Sequence, residues 1–296
     1  MTDADVSRLS DSLTYEIIHA LGLPRTLGWQ RFFKPLFRRA TEQLCHIGLT
    51  FDRLILERGF SRAAEWSLSN WCRGILARGR EHVPAEGPLL VVSNHPGAYD
   101  ALVIAAQLQR DDLRVVASDL PLLRDLPNLR RRIFFIPINI QDTFHRMSGL
   151  LSAVRYLRDG GAVLLMGSGT IDPDPAVYPG ASAHLQRWSE ATDVFLRFVP
   201  EARVLLSAVS HIVSPKWARH PLTWLQRAGM PRRRLAEFGQ VLQQLFSPGS
   251  LYVSPRLSFA PPLNAAELGE SPREVLIQEE RWLLEAHCRE FGGSAD

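Results

Sequence analysis

The sequence predicts an α/β protein: a mostly parallel central sheet flanked by helices, preceded by an N-terminal amphipathic helical segment. Three observations predict it. From about residue 79 onward, short runs rich in Val, Ile and Leu alternate with helix-length stretches, the order of a parallel sheet with crossover helices. Those runs are apolar without alternation, as strands covered on both faces must be. Before residue 79, apolar side chains instead recur at spacings of three and four, as in Leu44, Ile47, Phe51, Leu54 and Ile55. Arg and Glu fill the gaps, which is the pattern of an amphipathic helix.

Taken in order, residues 1–78 read as a helical, membrane-interfacial segment, broken at Pro24, Pro35 and Gly48. Strands are expected over 89–93, 113–117, 133–138, 162–166, 204–212 and 251–259. Helices are expected between most of them, over 99–108, 143–158 and 181–198. Residues 79–265 then make up the α/β domain, and 266–296 a closing C-terminal helix running from 271 to 291.

Composition narrows the class. The chain has 296 residues, 46% hydrophobic and 22% charged, which excludes a disordered, collagen-like or disulfide-scaffold protein. Cys45, Cys72 and Cys288 are far apart and form no C-x-x-C pair, so a reducing compartment fits and no metal site is expected. No run of 18 apolar residues occurs, and the N-terminus carries acids where a signal peptide needs a basic-then-apolar order. The expectation is a cytoplasmic protein, peripheral at the inner face of the membrane.

The net charge of +3 hides an uneven distribution. Residues 17–41 hold Arg25, Arg31, Lys34, Arg38 and Arg39 with no acid, interleaved with Trp29, Phe32, Phe33, Leu36 and Phe37. Residues 202–236 hold seven basic residues and no acid, among them Trp217, Leu222, Trp224, Leu225 and Met230. Residues 260–296 carry eight acids against three Arg. Arg mixed with aromatic side chains suits an interfacial anchor on anionic lipid. It equally suits aromatics packed on a core with Arg stems reaching outward. No nucleic-acid module is present and the net charge is low, so nucleic acid is not an expected partner.

In open α/β sheets, ligands bind at the carboxyl ends of the strands. Two post-strand loops carry chemistry there, 93–100 and 167–175. In the first, Ser93-Asn94-His95-Pro96-Gly97-Ala98-Tyr99-Asp100, a turn through Pro96 and Gly97 can bring Asp100 onto the imidazole. A carboxylate on one ring nitrogen would set the tautomer and leave the other free to accept a proton. That is two members of a triad, with the hydroxyl left to the substrate. The same residues equally suit the cap of a helix start.

The run from Gly87 to Asp100, with the lead-in Gly79-Arg80-Glu81-His82-Val83-Pro84, resembles the first signature block of the glycerolipid acyltransferases. That family comprises the glycerol-3-phosphate and 1-acylglycerol-3-phosphate acyltransferases, marked by Ser-Asn-His followed by four residues and Asp. The resemblance covers roughly residues 75–215. It implies His95 as general base on an acceptor hydroxyl and Asp100 as its orienting partner. Gly167-Ser168-Gly169-Thr170 resembles the family's Phe-Pro-Glu-Gly-Thr block, but Ser168 stands where Glu is usual and Ile171 where a basic residue follows. In the family that Glu and a nearby Arg are associated with glycerol phosphate. The middle block also departs: Ile138 and Asn139 stand where its strand ends in Arg, and Arg130, Arg131 and Arg132 precede the strand instead.

By this resemblance the chain is an O-acyltransferase using acyl-CoA or acyl carrier protein as donor, with no resident cofactor and no metal. The acceptor is a lysophospholipid or another lipid-like molecule. Asn94, Ser168, Gly169 and Thr170 are the expected substrate contacts, and Arg130, Arg131 and Arg132 are expected to meet a phosphate. A catalytically degenerate lipid- or partner-binding member is the alternative, because the Glu and Arg are missing.

Overall fold

The computed structural model describes residues 27–137 and 141–296. Pro24, Arg25, Ile138 and Asn139 lie outside them, as do the side chains of Trp29, Arg31, Phe32, Phe33, Lys34 and Leu36. The chain begins with two helices, α1 (Leu27–Arg58) and α2 (Phe60–Leu68). It continues β1 (Leu76–Arg78), β2 (Leu89–Ser93), α3 (Asp100–Leu108), β3 (Arg114–Ser118), two single turns α4 (Pro121–Arg124) and α5 (Pro127–Arg130), and β4 (Ile133–Ile136). Then come α6 (Thr143–Arg158), β5 (Ala162–Met166), α7 (Ala181–His184), α8 (Ala191–Phe198), β6 (Arg203–Ser210) and α9 (Pro215–Ala218). The last elements are α10 (Met230–Phe246), β7 (Arg256–Phe259), β8 (Leu263–Asn264) and α11 (Pro272–Phe291).

The strand order is β1-β7-β6-β2-β5-β3-β4, with β8 beside β6. The five strands from β6 to β4 are mutually parallel. β7 is antiparallel to β6 and parallel to β1. Alternation along the strands builds two apolar layers. Leu89 and Val91 of β2, with Leu164 of β5, face a layer shared with α1, α2 and α3. Leu90 and Val92, with Val163 and Leu165, face the layer of α6, α8 and α11. A strand buried on both faces reads as an unbroken apolar run because every position is interior.

Four expectations are corrected. No helix break occurs at Pro35 or Gly48, because α1 runs through both. Phe37, Cys45, Phe51 and Leu54 are buried on either side of Gly48, and that packing outweighs the roughly 1 kcal/mol that an interior Gly costs. The helix over 181–198 is interrupted: Trp188 turns back on Leu185, and Ser189 N–H donates to Gly167 O at 2.7 Å. The strand over 204–212 ends at Ser210, where His211 takes φ 60° and the Asp174 carboxylate takes the next backbone N–H groups. The strand over 251–259 is regular only from Arg256, since Val253 instead exchanges hydrogen bonds with Trp71 and Arg73. The sheet also draws on residues before 79, through β1.

One close approach fixes how α6 lies on the sheet. A Cβ at Gly149 would sit 2.5 Å from the Phe135 carbonyl oxygen. Gly149→Ala should therefore push α6 off β4 and cost about 1–3 kcal/mol, read as a fall in the urea midpoint with an unchanged slope.

Candidate active site

The carboxyl ends of β6, β2 and β5 meet at one edge, and two loops are stitched together there. Gly167 N–H donates to Ser93 O at 2.9 Å, extending the β2–β5 ladder by a residue. His95 N–H donates to Asp172 Oδ2 at 2.8 Å, and Asp172 N–H donates to His95 O at 2.7 Å. The other Asp172 oxygen contacts His184 Nδ1 at 2.7 Å. Asp174, fully buried, accepts the N–H groups of Ala176, His211, Ile212 and Val213 at 2.8–3.0 Å. Two aspartates therefore join the loops after β2, β5 and β6.

His95 and Asp100 meet as the spacing suggested. Nδ1 lies 2.7 Å from Asp100 Oδ2, and Gly97 N–H donates to the same oxygen at 2.9 Å. Asp100 opens α3 and is buried, whereas the His95 side chain remains 29% exposed. Among the described residues nothing hydrogen-bonds its Nε2, and no Ser or Cys reaches the ring. Tyr99 anchors the loop, stacking on Trp71 and donating its hydroxyl to Gln244 of α10 at 2.5 Å.

Glu237, on α10, is a neighbour that the sequence reading missed. A Cβ at Gly97 would come within 3.2 Å of Glu237 Oε1, so glycine lets the loop and the carboxylate approach. Burial pushes the Glu237 carboxyl up to about 7; His95 opposes that and Asp100 adds to it. Burial also pushes the His95 imidazolium down, but the Asp100 carboxylate outweighs it, helped by Glu237 and Asp172, and its pKa rises to about 9. The imidazolium form is therefore favoured at neutral pH. Glu237 had a signal in the chain, being the lone acid between Glu201 and Glu267.

The other expected contacts fare differently. Asn94 is buried with both ends of its amide taken by β6: Nδ2 donates to Val209 O at 2.8 Å and Oδ1 accepts Val209 N–H at 2.7 Å. These two bonds tie the loop after β2 to β6. Ser168, Gly169 and Thr170 lie at the correct edge, but their turn is self-satisfied. Ser168 Oγ donates to Thr170 O at 2.8 Å and accepts Thr170 N–H at 3.2 Å, and Gly169 N–H donates to Met166 O. Gly169 takes φ 64°. Gly167 stands under the Trp188 indole, where a Cβ would lie 2.3 Å from the ring.

Arg130, Arg131 and Arg132 are not brought to this site. They precede β4 at the amino ends of the strands, and Arg132 donates to the Asp111 carbonyl there. The length of β2, about 16 Å at the usual rise, separates that edge from His95. A different guanidinium reaches the correct edge: Arg233 of α10 donates from Nη2 to Ile171 O at 2.9 Å. Burial and the charge of Arg187 both lower its pKa, while Asp172 raises it. The three cysteines are buried, and burial pushes their thiols up to about 11 or 12. Among the described residues no three His, Cys, Asp or Glu side chains are grouped to hold a metal ion.

Residues 74–202, which contain both loops, match the family model described as Acyltransferase. The match spans 129 of the chain's 296 residues. It is similar to the crystal structure of the 1-acyl-sn-glycerophosphate (LPA) acyltransferase, PlsC, from Thermotoga maritima, at 15% identity and a TM-score of 0.48, covering 95% of this chain and 96% of that one. No curated protein matches the chain in sequence.

The electrostatics of the dyad are directly measurable. An NMR titration of His95 should give an inflection near 9. In Glu237→Gln, where one attracting carboxylate is lost, the inflection should fall toward neutrality.

Proposed function

We propose that this protein transfers an acyl chain from an acyl thioester, carried by coenzyme A or an acyl carrier protein, to a hydroxyl of a lysophospholipid or similar lipid acceptor. The observation that carries this reading is the His95–Asp100 contact at the strand edge of the span that matches the acyltransferase family model, with no side-chain nucleophile on the imidazole among the described residues. The hydroxyl to be activated then belongs to the substrate. Neutral His95 accepts that proton at Nε2 while the acceptor oxygen bonds to the thioester carbonyl carbon. Asp100 holds Nδ1–H and stabilises the imidazolium. Collapse of the tetrahedral adduct breaks the C–S bond, and the imidazolium returns its proton to the thiolate. An acid with a pKa of about 9 is well matched to a leaving thiol, whose own lies near 8.5.

Arg233 supports a phosphorylated acceptor. It lies one residue along from Asp172, on the carbonyl of Ile171, where the family pattern would have placed a basic side chain. Arg233→Gln should raise KM for a phosphate-bearing acceptor about tenfold and leave a neutral lysolipid nearly unaffected. The measurement is an acceptor screen with both kinds of lysolipid.

A non-catalytic binder is the second reading, favoured by the self-satisfied turn at Ser168 to Thr170. Radiolabelled acyl-CoA separates the two. Wild type should incorporate label into lysolipid, and His95→Ala should lower kcat by about 10²–10⁴-fold. The kcat/KM profile of wild type should rise with pH and level off above about 9, because the neutral base is the active form. Equal incorporation by wild type and His95→Ala would remove His95 from the mechanism.

A further inference from the structure

Between β6 and α10, three large apolar side chains within four residues face outward: Leu222 at 52%, Trp224 at 66% and Leu225 at 79% exposure. They lie on a 3₁₀ turn, Pro221–Leu225. The turn is not frayed. Thr223 is buried within it and donates its hydroxyl to His220 O at 2.7 Å. Trp217, just before it, stacks on His220, donates its indole N–H to Gln243 of α10 at 2.8 Å, and fills the space over Gly239. The fold spends buried contacts to hold this turn in place while its apolar side chains stay out. The charge along this stretch of chain has one sign: Lys216, Arg219, Arg227 and Arg234 are exposed, and no acid occurs from 202 to 236.

We propose that the turn carrying Leu222, Trp224 and Leu225 is the surface by which the protein docks onto an anionic lipid bilayer. Exposed apolar side chains insert at headgroup depth, and the surrounding cations meet lipid phosphates. A second copy of the chain fits poorly, since an isologous contact would set these cations against themselves. The choice of lipid over other acidic partners rests on the acyl-transfer reading, whose acceptor resides in a membrane. Trp217, which anchors the turn, packs on Gly239 of α10, the same helix that carries Glu237 to the loop at Gly97.

The test is sedimentation of the full chain with sucrose-loaded vesicles, either neutral phosphatidylcholine or phosphatidylcholine with about one-third phosphatidylglycerol. Wild type should prefer the anionic vesicles, and raising salt to about 0.5 M should weaken binding. Trp224→Ser with Leu225→Ser should reduce partitioning about tenfold or more. Arg219→Gln with Arg227→Gln should reduce binding to anionic vesicles and flatten its salt dependence. Trp282→Ser, which removes a Trp 54% exposed on α11, should change nothing. Circular dichroism melts confirm that each variant is folded. Failure of wild type to bind, binding by both turn variants equal to wild type, or an equal loss in Trp282→Ser would each overturn the proposal. So would a turn variant that binds vesicles normally but loses self-association or capture of an acidic protein. Transfer to a monomerically dispersed lysolipid should persist in both turn variants. If wild type shows no transfer while vesicle binding follows the expected pattern, the acyl-transfer reading falls and the docking surface stands.

Discussion

The mutual hydrogen bonds between His95 and Asp172 are the constraint from which the rest of the edge follows. Each residue's backbone N–H is donated to the other, one to a carboxylate and one to a carbonyl. Loops after adjacent parallel strands have no ladder left to share, so their backbone groups must find partners elsewhere or remain unpaired. Asp172 supplies that partner for the loop after β2 and takes His184 as well. Asp174 does the same for the loop after β6. With the backbone at residue 95 held this way, the imidazole can face Asp100 without the loop having to be packed shut around it. Partial exposure of the ring and a fixed geometry then coexist, which a base acting on an external hydroxyl requires.

Electrostatics follow from the same crowding. Asp100, Asp172 and Glu237 all act on one imidazole, and together they overcome its burial. On the proposed reaction, the raised pKa makes the neutral imidazole a stronger base and lets its conjugate acid protonate the departing thiolate. Glu237 is itself perturbed by the crowding: burial pushes its carboxyl up to about 7, with His95 opposing and Asp100 adding to the shift.

Much of this was legible in the chain. The two-sided apolar strands β2 and β5 announce themselves, because residues such as Leu90 and Leu164 are interior on whichever face they point. The His95–Asp100 pair was legible because both partners sit on one loop and the opening turn of one helix. What was not legible is long-range. Arg130, Arg131 and Arg132 looked close to the chemistry in sequence order, but a parallel strand carries its two ends to opposite edges of the sheet. Arg233 and Glu237 looked remote, and helix α10 brings Arg233 to Ile171, 62 residues before it, and Glu237 to Gly97, 140 residues before it. Asn94 shows the same limit from the other side: the chain does not reveal that its amide pairs with the backbone of β6.

Helix α10 joins features that otherwise look separate. Along its length it presents Arg233 to Ile171, Glu237 to Gly97, Gly239 to Trp217 and Gln244 to Tyr99. These contacts reach the second loop, the base loop and the turn before it from one rigid rod. A shift of that rod by a single residue rise would move all of them together. Perturbations at these positions therefore share an element, and substitutions at them should not combine as independent increments.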